Sequence, residues 1–190
     1  AQERDRARAA EAGVSAINEF LVDELLTAPT PAKAQGRPLS VADVLGNASR
    51  SVGYAFAKEP RLEVDVRSTL ARSYLALGAL PEARKHATVA HDILLRSAAQ
   101  DPLAELRART LLARVTLEEG HFADARRELE AIATAQEALA GGAHHDTLTT
   151  RSLLASALRK ESEATRAEPV ARQAMAAAAA DTPPLHLIVM

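Results

Sequence analysis

The chain has 190 residues, with 23 Lys and Arg against 25 Asp and Glu, 3% aromatic residues, no Trp and no cysteine. That balance excludes the basic, aromatic-interleaved surface of a nucleic-acid binder. It also excludes a disulfide framework, a thiolate nucleophile and a Cys-based zinc site. Alanine supplies 43 residues while glycine and proline supply 8 and 9, a surplus of strong helix formers that predicts an all-α protein.

No apolar stretch approaches the roughly 20 residues of a membrane helix, so no membrane contact is expected of this segment. The chain opens on Ala1 with no signal-peptide pattern, and we expect it to be a piece of a longer protein. Residues 1–28 read as one helix. Its opening, AQERDRARAAEA, is charged and solvated, whereas Val14, Ile17, Leu21 and Leu25 follow helical spacing and should dock. Residues 29–39 are rich in Pro, Gly and small polar residues and read as a loop. Residues 40–59 predict a second helix, capped by Ser40 and broken at Glu59-Pro60.

From there the chain is periodic. RSTLARSYLALG starts at Arg67, RTLLARVTLEEG at Arg109 and RSLLASALRKES at Arg151, each 42 residues after the last. Such an interval is the mark of stacked repeats, here residues 60–101, 102–143 and 144–180, followed by a tail at 181–190. Within a copy the expected unit is a helix hairpin. Helix A spans about Leu62 to Leu77, Gly78 supplies the left-handed residue that ends it, and Pro81 fits the first turn of helix B. Helix B runs to about Ala98, and Asp101-Pro102 restarts the cycle. In the third copy Asp146 or Thr147 is the expected cap. Leu70, Ala71 and Tyr74 should pack helix A, with Leu112 and Ala113, then Leu154 and Ala155, one and two intervals later. Gly120 repeats Gly78, and Ala83, Ala125 and Ala167 share the slot where two backbones approach. A bulky residue there would overpack the hairpin by about 1–3 kcal/mol.

The order Leu70, Ala71, Tyr74, Gly78, Ala83 resembles the tetratricopeptide repeat, as does Leu112, Ala113, Gly120, Phe122, Ala125. The 42-residue length is similar to the longer repeat of kinesin light chains and their bacterial relatives, most closely at HHDTLTTRSLLA and AEPVARQA. The third copy departs from the pattern at Ser162 and Ala164, so a looser turn is expected there. Residues 16–52 resemble the segment before such repeats in bacterial membrane-anchored serine/threonine kinases and winged-helix transcription regulators. The resemblance implies a right-handed superhelix of antiparallel hairpins whose A helices line a concave groove for a peptide or partner helix. It also implies the tail of a signalling protein. That tail would lie on the periplasmic side of the inner membrane if tethered, and otherwise in the cytoplasm.

By that alignment the groove positions are Asp65, Ser68, Arg72 and Leu75, then Arg107, Thr110, Arg114 and Leu117. The third copy adds Thr149, Ser152, Ser156, Arg159 and Lys160. Arg72, Arg114, Arg159 and Lys160 would form a basic strip suited to an acidic peptide or a terminal carboxylate; equally, they would pair with Asp65, Glu118 or neighbours. Arg67, Arg109 and Arg151 lie one turn before the packing leucines, where their stems should cover apolar surface. The histidines do not converge: His144 and His145 are adjacent in a loop, and His86 and His91 sit five apart on a helix, so they read as surface or helix-start residues. No catalytic, phosphate-binding or metal-binding motif occurs, and neither catalysis nor a cofactor is expected. The expected partner is a protein or peptide. The alternative is a second copy of the chain, joined through the apolar LHLIVM end of the tail.

Overall fold

A computed structural model describes Phe20, residues 40–98 and residues 100–180, with side chains to residue 165. The expected helix at 1–28 (Phe20 apart), the loop at 29–39, the packing role of Ala167 and the tail at 181–190 lie outside those descriptions. The described residues form six helices and no strand: α1 (Val41–Ala55), α2 (Pro60–Ala76), α3 (Leu80–Arg96), α4 (Pro102–Glu118), α5 (Phe122–Ala140) and α6 (His145–Ala180). The fold class is therefore the expected all-α, built of helix hairpins. It divides into two compact units, Ala1–Glu119 and Gly120–Met190, so the second copy is cut between its two helices.

In the first unit the caps follow the sequence. Ser40 and Asp43 form a reciprocal capping box: the Asp43 N–H donates to Ser40 Oγ at 3.2 Å, and the Ser40 N–H to Asp43 Oδ2 at 2.9 Å. Pro60 opens α2 where its missing N–H costs nothing. At the other end Gly78 adopts φ 72°, the Gly78 N–H returns to the Leu75 carbonyl, and the Ala79 N–H to the Tyr74 carbonyl. These two bonds satisfy carbonyls that a helix end would otherwise leave open. Asp101 caps α4, accepting from the Ala104 N–H at 3.0 Å, with Pro102 next in line.

The core of this unit is built from Val52, Phe56, Leu70, Ala71, Tyr74, Ala83, Ala87 and Val115, with Phe20 edge-on to Phe56 at 5.2 Å. Burying each large apolar side chain contributes about 1.5–3 kcal/mol. The helix before the repeats is in phase with them. Adding 42 to Leu45, Ala48 and Val52 gives Ala87, Ala90 and Leu94 of α3, and both sets face inward. The chain thus treats α1 as a helix B against α2.

In the second unit α5 packs on α6 along Ala125, Leu129, Ile132 and Ala133. Here the structure corrects three expectations. The cap of α6 is His144, whose Nδ1 accepts from the Asp146 N–H at 3.3 Å; Thr147 is fully buried and donates to the Gly141 carbonyl at 3.0 Å. No turn forms at Ser162, and α6 runs 36 residues without interruption. Gly78 and Gly120 both hold positive φ, a region that costs a non-glycine residue about 1–2 kcal/mol. Serine in that slot, among helix formers, continues the helix instead. The third consequence falls on Ala155, which is exposed where Ala71 and Ala113 are buried. Without the turn no helix B folds back over it among the described residues, and Leu158, in the slot of Tyr74, is also exposed. Leu154 is half-buried and Ala157 fully buried.

The 42-residue interval also writes an ion pair twice. Arg84 Nε donates to Glu119 Oε1 at 2.7 Å in the first unit, and Arg126 Nε to Glu161 Oε2 at 2.8 Å in the second. Each joins a helix B to the end of the helix A that follows.

Candidate peptide groove

α2 and α4 stand side by side in the first unit and leave a groove of about 450 Å³. Its floor is apolar, from Val64, Leu94, Ala108 and Leu111, and its rim is polar, from Arg61, Asp65, Ser68, Thr69, Arg72 and Arg107. Sequence spacing explains the rim: Asp65, Ser68 and Arg72 recur at three and four residues on α2, and Arg107 is Asp65 advanced by one interval.

The rim charges are unequally engaged. Arg61 pairs with Asp101 at 2.8 Å, and the Ala104 N–H and Arg61 together hold the Asp101 carboxyl below its ordinary range. The groove walls partly desolvate Asp65 and raise its carboxyl above the ordinary range, against the pull of Arg61, Arg107 and Arg72. Arg72 differs. It donates to Thr69 Oγ1 at 3.1 Å, and that hydroxyl donates to the Asp65 carbonyl at 2.9 Å. Thr69 therefore steers the guanidinium, which makes no ion pair among the described residues.

Of the expected groove residues, Asp65, Ser68, Arg72 and Arg107 come together here. Leu75, Thr110 and Leu117 do not: they are buried, and Thr110 Oγ1 donates to the Leu106 carbonyl at 2.8 Å. Arg114 is exposed on α4 but is not among the residues lining this groove. In the second unit Thr149 and Ser152 are exposed, and Ser156 donates back to the Ser152 carbonyl. Arg159 pairs with Glu163, and Lys160 Nζ stands 6.0 Å from the Phe122 ring centroid. The expected basic strip thus contracts to the first unit. Arg61 and Thr69 went unforeseen, although both follow from extending the Asp65 face by four residues in either direction.

A second polar cluster lies inside the first unit, where the sequence predicts only surface histidines. His86 is fully buried, not superficial. Its Nε2 lies 2.7 Å from Ser49 Oγ, its Nδ1 3.4 Å from Arg67 Nη1, and its ring is parallel to Tyr74 at 5.6 Å. Arg67 is bound to Glu63 at 2.7 Å with both side chains largely buried, so it is an interior ion pair rather than a stem over apolar surface. Arg151 instead pairs with Glu137 at the surface. The signal for His86 was present: Ala83, His86, Ala87 and Ala90 lie on one helical face.

Among the described residues no three His, Asp or Glu side chains are placed to hold a metal, and no helix is long and apolar enough to cross a membrane. A solved structure of nearly identical TPR-like repeats of a kinesin light chain from Podosopora anserina is similar to this chain. It has 17% identity and a TM-score of 0.47, over 92% of this chain and 89% of that one. No family model and no curated protein matches the sequence.

Proposed function

We propose that the chain is a non-catalytic protein–protein interaction module that takes an acidic peptide, or the acidic face of a partner helix, in the α2–α4 groove. The observation that supports it is Arg72, a guanidinium oriented by Thr69 over an apolar floor and left without an ion pair among the described residues. A forked donor set so placed favours a carboxylate, and the floor accepts the flanking apolar side chains. The resemblance of residues 16–52 supports a further proposal, that the module is the tail of a bacterial signalling protein. Tethered to such a parent it would lie on the periplasmic side of the inner membrane.

The test is fluorescence anisotropy with labelled pools of twelve-residue peptides that differ only in Glu or Gln at fixed positions. The Glu pool should bind, more weakly as salt rises, and Arg72→Glu should cost roughly tenfold to a hundredfold in affinity. Equal binding of both pools, or an Arg72→Glu variant that binds normally, would sink the reading. Self-association through LHLIVM is the competing use of the chain. It is rejected if solution mass across a concentration series is the same with and without Pro183 to Met190.

A further inference from the structure

Three helices meet at the His86 ring. Arginine has only hydrogens to give, so Arg67 must donate to Nδ1, and the imidazole proton resides on Nε2, facing Ser49 Oγ. The Ser49 hydroxyl is then free to serve Tyr74, its other hydrogen-bond partner. A chain of bonds therefore runs from the Arg67 guanidinium on α2, through the neutral His86 on α3, to Ser49 on α1, and back to Tyr74 on α2.

That chain has no place for another proton. A second hydrogen on the ring must go to Nδ1, where it would meet the Arg67 guanidinium: donor against donor and charge against charge, out of reach of water. Lys85 on α3 adds to the repulsion, and Glu82 offsets part of it. From α2, Glu63 is already engaged by Arg67, and from α1 Arg50 brings a further positive charge near Tyr74. Burial is the largest cause, and together these effects lower the imidazole from 6.5 to about 4.

Among the described helices α1 packs broadly on α2 alone, whereas α2 and α3 each pack on two or more helices. Among the described helices it is thus the most lightly held and the first that local opening would free. We propose that His86 is a proton-operated latch: neutral, it fastens α1 to the α2–α3 hairpin; protonated, it releases α1 and bares the apolar strip beneath Ala48, Val52 and Phe56.

The sign follows from linkage. Released, His86 regains water on the face that α1 covered and titrates closer to its ordinary value, with Arg67 and Lys85 still beside it; latched, it resists protonation. The hold on α1 is complete above about pH 6.5 and is lost as pH falls towards 4. Between about pH 7.5 and pH 5 the opening equilibrium of α1 should rise, by at most about thirtyfold.

Hydrogen–deuterium exchange, expressed as protection factors, tests this on the whole chain. Protection of Val41–Ala55 should fall over that pH interval, by at most about thirtyfold, while Pro60–Arg96 changes little. His86→Phe keeps a flat ring beside Tyr74, cannot take the proton, and should abolish the pH dependence. The paired change Glu63→Gln with Arg67→Gln keeps the histidine, removes its nearest opposing charge, and should cut the factor to below about ten. It decides the matter if His86→Phe fails to fold. Three results overturn the latch: α1 protection that ignores pH, an undiminished effect in these variants, or α1 and the hairpin losing protection together.

Discussion

α3 and α5 stand one interval apart in the same register, yet they fill their inward slots in opposite ways. α3 turns in Ala87 and Ala90 and leaves the remaining volume to His86 stacked on Tyr74. α5 turns in Leu129 and Ile132, both fully buried, and ends its stripe with Gln136. Register decides which positions face inward; the neighbours decide how large and how polar the residue there can be. Interiors are packed closely enough that neither filling transfers to the other helix.

Exchanging the fillings is the strongest way to break the comparison. Ile132→Ala should cost about 2–5 kcal/mol through the cavity it leaves. The reverse change in the same slot, Ala90→Ile, should cost about 1–3 kcal/mol by overpacking. Urea midpoints of the two single variants would measure both, and a neutral Ala90→Ile would show that the α3 slot has spare room. A change of opposite sign is expected at Gln136, where both side-chain amide atoms are buried without a partner among the described residues. Val52 and Leu94 occupy that slot in the other two helices. Gln136→Leu should raise stability by about 1–2 kcal/mol, read from the same midpoints; a loss would mean that a water or an unseen partner satisfies the amide. The smallest effects should come from the ion pair that recurs once within each unit. Arg84 and Glu119 are partly exposed, so Arg84→Ala should cost less than about 1 kcal/mol. Arg126→Ala should likewise cost little, and high salt should mask both.

Much of this architecture could be read from the sequence wherever one residue carries a local instruction. Ser40 and Asp101 each cap through their own side chain and Gly78 through its own backbone, and each helix end lies where they put it. The third copy defeated the same logic because Ser162 carries no such instruction, and a helix continues by default when nothing ends it. The groove was half legible for a rotational reason. From Asp65 to Arg72 a helix turns to within about 20° of its starting face, but at Leu75 it has drifted by roughly 80°. The same drift carries Leu117 inward. His86 was hidden because its partners, Ser49 and Arg67, come from two other helices, and no spacing along one helix announces them.

The recurring ion pairs carry a consequence for how such a chain can lengthen. Arg84 with Glu119 and Arg126 with Glu161 keep the same separation, and the Gly78 and Gly120 turns keep the same interval. Growth by whole intervals of 42 residues preserves inward face, turn and ion pair at once. An addition two residues longer rotates everything downstream by about 200°, setting alanine against water and arginine against the core. Chain length in this molecule is therefore quantised, and the increment is legible in its charges as well as in its leucines.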